Sequence, residues 1–79
     1  MLSNYSLTHV VVIECGPVKT ICSTGFFFKF SARKAMKKLS NKIKTQSGEN
    51  LYYTHEKFNE GVVEIAVHDV KHYITIQKL

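Results

Sequence analysis

The spacing of hydrophobic residues along this chain changes from the period of a strand to that of a helix and back again. Residues 8–14, Thr-His-Val-Val-Val-Ile-Glu, are rich in β-branched side chains and run into Gly16-Pro17, which predicts a strand followed by a turn. The segment from Val18 to Cys22, continued by Phe26–Phe30, reads as a second strand. Ser23, Thr24 and Gly25 interrupt it, and the glycine predicts a bulge or bend there. From Ser31 to Gln46 the period becomes helical. Ala32, Ala35, Met36, Leu39 and Ile43 fall within an arc of about 100°, the width of a buried stripe. Ser31 is the expected N-cap and Gly48 the stop signal, while Lys34 stands where a capping box would place Glu. Three more strands follow, over 51–56, 62–68 and 70–77, the last two alternating apolar with polar positions. Asn59-Glu60-Gly61 marks the turn between the first two. Asp69 points to a tight hairpin between the last two, with one long bent strand as the alternative.

The expected order is therefore β-β-α-β-β-β. It predicts an α+β fold in which an antiparallel β-sheet carries one amphipathic basic helix packed on one face. Residues 1–79 make a single domain, without repeats or linkers. A chain of this length buries only about 60% of its unfolded surface, so its core is marginal. A partner surface completes such a core, and a homodimer is expected on that ground.

Charge adds what periodicity does not. The chain carries +5 overall, but no Asp or Glu lies between Cys15 and Gly48, a window that holds +8. The remainder is net acidic, at −3. Six basic residues, Arg33, Lys34, Lys37, Lys38, Lys42 and Lys44, lie on the helix outside its apolar arc, and Lys29 precedes it. The layout works against the helix itself. Arg33 and Lys34 oppose the macrodipole, and Arg33–Lys37, Lys34–Lys38 and Lys38–Lys42 are repulsive i, i+4 pairs with no acid among them. A local choice that costs stability is where function is expected to show. A cationic helix face attracts polyanions by long-range steering and counterion release. Lysine is a point charge suited to phosphate rather than to base edges, so nucleic-acid binding through these seven residues is expected to be backbone-dominated and weakly sequence-specific. A solvated face that only maintains solubility is the plainer alternative.

The aromatic run Phe26, Phe27, Phe28 and Phe30 is too dense for one strand to bury on one face. Core, dimer interface and a base-stacking surface all remain open for it. Tyr52 and Tyr53 are expected on opposite faces. The signatures of RNA-recognition and KH modules are absent from the sequence. The sequence alone leaves RNA and DNA both open.

No metal, cofactor or catalytic site is expected. His68 and His72 would lie about 13 Å apart along a strand, and the spacing of Cys15 and Cys22 is too wide for one arm of a zinc site. Cys22, His55, Glu56, His68, Asp69 and His72 include residue types of nucleophile and base, but nothing in their spacing gathers them into a cleft. The chain is therefore not expected to be an enzyme. Two cysteines suggest a reduced pair rather than a disulfide scaffold, although they are close enough in sequence to face each other across a hairpin. With no secretory leader or membrane span visible, a cytoplasmic location is expected, the host cytoplasm for a viral protein.

The run Ser-Ala-Arg-Lys-Ala-Met-Lys-Lys-Leu-Ser-Asn-Lys-Ile-Lys in a short, cysteine-poor chain resembles the accessory proteins with which bacteriophages block host defences. Among these it most resembles the T-even phage inhibitors of ToxIN-type toxin–antitoxin systems. The resemblance is one of general character and assigns no role residue by residue. It implies an RNA-binding homodimer that suppresses a host endoribonuclease toxin. The competing expectation is a protein–protein inhibitor, or a subunit of a larger assembly, that docks on an acidic partner surface without nucleic acid.

Overall fold

A computed structural model describes residues 3–13, 16 and 18–79. Its elements run β1 (Tyr5–Ile13), β2 (Val18–Phe26), α1 (Lys29–Ser47), β3 (Leu51–Lys57), β4 (Val62–Val67) and β5 (Val70–Lys78), with single 3₁₀ turns at Gly48–Asn50 and Phe58–Glu60. The fold is α+β, one helix on a five-stranded antiparallel sheet of order β2-β1-β5-β4-β3. The expected sequence of elements is the one observed.

The strand order dictates the helix. β2 and β3 are opposite edges of the sheet, so the segment joining them must traverse every strand between. Crossing four inter-strand gaps requires about 19 Å at about 4.8 Å each. The 19 residues of α1 supply about 28 Å at 1.5 Å per residue. One helix therefore bridges the sheet and touches β1, β2, β4 and β5.

The core lies between helix and sheet. Met36 and Ile43 meet Leu7, Val63, Ile65 and Ile74, with Ala35, Leu39, Phe26, Leu51, Phe58, Val67 and Ile76 around the margin. Met36, Val63, Ile65 and Ile74 are fully buried. The predicted apolar arc is thus the buried face of the helix, with Ser40 added to it. Ser40 is buried because its hydroxyl donates to Glu56 Oε1 at 2.9 Å, and Lys44 Nζ stands 2.6 Å from the same oxygen. Burial pushes the Glu56 carboxyl up, but the bonds from Lys44 and Ser40 and the charge of Lys44 outweigh it and hold the group below its ordinary value. These three residues tie the C-terminal half of α1 to edge strand β3.

Several local expectations need correction. The helix begins at Lys29, not Ser31, and its N-cap is Phe28, which makes no side-chain capping bond. The second strand ends at Phe26, so Phe27 and Phe28 form the bend into the helix and Phe30 lies in its first turn. The β-bulge of β2 falls at Ile21, where the register passes from His9↔Cys22 to Val10↔Thr20, and not at Gly25. Gly25 serves close approach instead, since a Cβ there would collide with the Ser3 hydroxyl. The fourth strand ends at Val67. His68 and Asp69 form the expected tight hairpin, with His68 at φ 20°. Gly61 closes the turn before β4 at φ 70° and packs against Ile76, where any side chain would be crowded. Gly48 ends the helix as expected. The expectations for Glu14, Cys15 and Pro17 lie outside the described residues, and Cys22 is exposed and free.

One polar pair sits inside the apolar layer. His9 Nε2 and His72 Nδ1 lie 2.9 Å apart, one ring donating to the other, with ring centroids 5.2 Å apart. Burial pushes both imidazoles below their ordinary value, and for His9 the charge of a protonated His72 adds to the effect. A histidine whose folded pKa is depressed binds fewer protons folded than unfolded, so stability rises with pH across that window. The midpoint of urea unfolding should therefore hold above the ordinary histidine value of 6.5 and fall as pH drops below it. The His9→Gln, His72→Gln double variant should show a flatter profile over the same range. The polar tie gives a second expectation. Glu56→Ala leaves the buried Ser40 hydroxyl without its partner and should lower unfolding free energy by about 1–3 kcal/mol in the same assay. Ser40→Ala, which removes the buried donor, should cost less.

Candidate nucleic-acid interface

The seven basic residues singled out by sequence do not share one environment. Successive helix residues advance by about 100°, which sorts them into two groups around the axis. Arg33, Lys37 and Lys44 flank the buried face on the side of β3 and the Phe58–Glu60 turn. Lys34, Lys38 and Lys42 follow one another at i, i+4 down the outer surface.

Within the flanking group, Lys44 and the exposed Lys37 have partners in the fold. Lys44 is half-buried in its ion pair with Glu56. Lys37 holds its ammonium 5.5 Å from the centre of the Phe58 ring, a cation–π contact. Arg33 is half-buried, and its Nε is the one buried side-chain nitrogen without a hydrogen-bond partner among the described residues. Sequence periodicity places Lys44 outside the apolar arc but does not reveal Glu56 opposite it. That pairing depends on which strand becomes the edge under the helix C-terminus.

The outer group is different. Lys34, Lys38 and Lys42 are exposed and make no ion pair among the described residues. Each step of the ladder advances about 6 Å along the axis. Lys29 is exposed at the start of the helix, in a first turn that contains no acid.

The phenylalanine run resolves into two roles. Phe26 packs against the core. Phe27, Phe28 and Phe30 are all more than half exposed and cluster with one another. The Phe28 and Phe30 rings stack at 5.3 Å with 22° between their planes, and Phe27 meets Phe28 edge-on at 4.7 Å. Exposed rings so grouped are unusual on a small surface, where apolar side chains are normally scattered. The cluster adjoins the lysine ladder directly. Phe30 precedes Lys34 by one helical turn, and Phe30, Ser31, Lys34, Ala35 and Lys38 line a surface groove of about 490 Å³.

The residues considered for chemistry lie apart. His55 is exposed on β3, His68 and Asp69 form the β4–β5 turn with Nδ1 and Oδ2 2.9 Å apart, and His72 is committed to His9. Among the described residues no three His, Cys, Asp or Glu side chains come together in a way that would hold a metal ion. No helix of the described residues is long and apolar enough to cross a membrane. No family model, curated protein or solved structure matches this chain.

Proposed function

We propose that this chain binds single-stranded RNA, with Lys34, Lys38 and Lys42 on the phosphates and Phe28 and Phe30 beneath unpaired bases, and that it acts by binding rather than catalysis. The observation that carries this reading is the groove in which Phe30 adjoins Lys34 and Lys38. Proteins that hold single strands without reading sequence combine a cationic track with rings on which bases stack. The ladder supplies regularly spaced charge free of competing acids, and the stacked phenylalanines supply the platform at one end of it. Lys29 and Arg33 add charge near that platform. Lys37 and Lys44, already engaged with Phe58 and Glu56, take a structural part instead. A duplex conceals its base faces, so the phenylalanines favour an unpaired strand over a paired one. Lysine in place of arginine suits backbone contact and low sequence preference.

The resemblance to phage inhibitors of toxin–antitoxin systems gives the proposal a setting, in which a homodimer of this chain acts on a host endoribonuclease toxin together with RNA. The exposed phenylalanines and the lysine ladder would also suit an acidic protein surface. A protein partner retained after nuclease treatment of freshly purified material would assign that role in place of RNA binding.

The test is fluorescence anisotropy with a labelled unstructured RNA across a salt series. Three phosphate contacts on a single strand give a slope of log K against log salt of about −2. Lys34→Glu, Lys38→Glu and Lys42→Glu together should abolish that component and leave the circular dichroism spectrum intact, because all three side chains are exposed. Undiminished affinity in the triple variant would remove the helix from the interface. Phe30→Ala should weaken single-strand binding by about 1–3 kcal/mol and leave duplex binding unchanged. Equal losses on both would count against base stacking.

A further inference from the structure

The helix covers one face of the sheet, and the open face departs from the polar surface that an antiparallel sheet turns to water. Leu7 and His9 on β1, Ile74 on β5 and Val63 and Ile65 on β4 are buried on the helix side, so the residues alternating with them point the other way. The register sets these in rows. Val12, Lys71, Ala66 and Tyr53 form one, Val10, Tyr73, Glu64 and His55 the next, and Thr8, Thr75, Val62 and Lys57 a third. The first two rows gather two valines, two tyrosines and an alanine around the Lys71–Glu64 diagonal. Towards Ser6 and Gln77 the face turns mainly polar. Tyr52 and Tyr53 are 65% and 43% exposed. A concavity of about 450 Å³ among Tyr52, Tyr53, Ala66 and Tyr73 gives a partner's side chains room to enter. An apolar, tyrosine-rich centre beside a polar margin is the composition of a protein–protein interface.

The charges on this face are of both signs. Tyr53 donates its phenol to Glu64 Oε2 at 2.6 Å. That bond first, then one from Tyr73 and the charges of Lys71 and His55, hold the Glu64 carboxyl below its ordinary value, so it is an anion. Asp69 is a second acid at the hairpin, its Oδ2 2.9 Å from His68 Nδ1. Lys71 is exposed and makes no ion pair among the described residues. Acid and base side by side are complementary to the same surface turned through a two-fold axis. An axis in the interface plane, passing between Lys71 and Glu64, sets Lys71 of each copy over Glu64 of the other. Elsewhere two copies repel, because β2 and α1 lie in the window from Cys15 to Gly48 that holds no acid. The area is adequate too. Five strands of six to nine residues give a flat footprint of about 24 by 25 Å, or roughly 600 Å² before side-chain relief is added. A stable interface takes about 800 Å² per partner.

We infer that a second copy of this chain docks on the open face, sheet against sheet, with Tyr53 and Tyr73 at the centre and Lys71 of each copy paired with Glu64 of the other. This gives the homodimer of the proposed setting its interface, and the inference rests on that part of the reading. The tyrosines supply most of the affinity. The ion pairs fix the register, since desolvation offsets much of what a buried pair gains. The two helices become the outer layers, so both lysine ladders stay open to RNA.

Sedimentation equilibrium from about 1 to about 200 µM protein tests the inference. A species of twice the 9.0 kDa chain mass is expected to form within that range. Lys71→Glu and Glu64→Lys should each weaken association about tenfold or more, because each sets like charges face to face at two places. An equimolar mixture of the two should recover it, because each variant then meets its opposite. Tyr53→Ala, at an exposed ring, should weaken association about tenfold or more. Should Glu64→Lys disturb the fold, Lys71→Glu and Tyr53→Ala carry the test. The triple lysine variant of α1 should dimerise as the parent does, and monomeric Lys71→Glu should still bind RNA through its ladder, so failure of either reading is distinguished from failure of the other. A chain that stays at 9.0 kDa throughout would overturn the inference. So would a dimer that Lys71→Glu and Tyr53→Ala leave unchanged, or a mixture of folded Lys71→Glu and Glu64→Lys that associates no more tightly than either alone.

Discussion

The demand that one helix carry the chain from one edge of the sheet to the other governs the rest of the molecule. Because β2 and β3 are opposite edges, α1 must cross the strands between them, and it can do so only by laying an apolar stripe along its whole length. Met36 and Ile43 supply the centre of that stripe, and Val63, Ile65 and Ile74 receive them. Burying a Met or Ile side chain is worth about 1.5–3 kcal/mol, so a few such contacts decide whether a domain this small folds. The helix gains little from its N-terminus, since it has no side-chain N-cap and its first turn holds a cation without an acid. Tertiary packing outweighs that local cost, as it does for most helices in proteins.

Pinning the helix by one stripe sorts its charges. Lysines beside the stripe come within reach of the sheet and find partners there, Lys44 with Glu56 and Lys37 over Phe58. Lysines opposite the stripe cannot reach the sheet. The same crossing brings the start of α1 out over the β2 edge, and there the bend from strand to helix turns Phe27 and Phe28 outward beside Phe30. A row of exposed cations ending at a small aromatic cluster is thus a geometric consequence of the connection, and the polyanion reading of the helix rests on it.

Much of this architecture is legible in the sequence because periodicity is local. The helical stripe, the stop at Gly48, the turn at Gly61 and the alternation of β4 and β5 all follow from residues within a few positions of one another. What is not legible depends on strand order. Ser40 reads as an ordinary polar residue until β3 is known to run beneath it with Glu56. His72, weighed with His68 for a metal site and set aside, pairs with His9 because β1 and β5 are neighbours in the sheet, the two residues 63 apart in the chain. The start of the helix at Lys29 is hidden because Phe28 caps nothing, so the nearby Ser31 looks like the better N-cap. Of the seven basic residues, composition finds all of them. Only the structure divides the ladder of Lys34, Lys38 and Lys42 from those held against the sheet.

The proposed interface with a polyanion is the outer ladder and not the basic residues as a group. Lysine-selective NMR of the wild-type protein with an unstructured RNA reads each ammonium separately in one titration. The signals of Lys34, Lys38 and Lys42 should shift together and saturate, while those of Lys37 and Lys44 stay near their free positions. Equal shifts at all the helix lysines, or shifts led by Lys37 and Lys44, would contradict it.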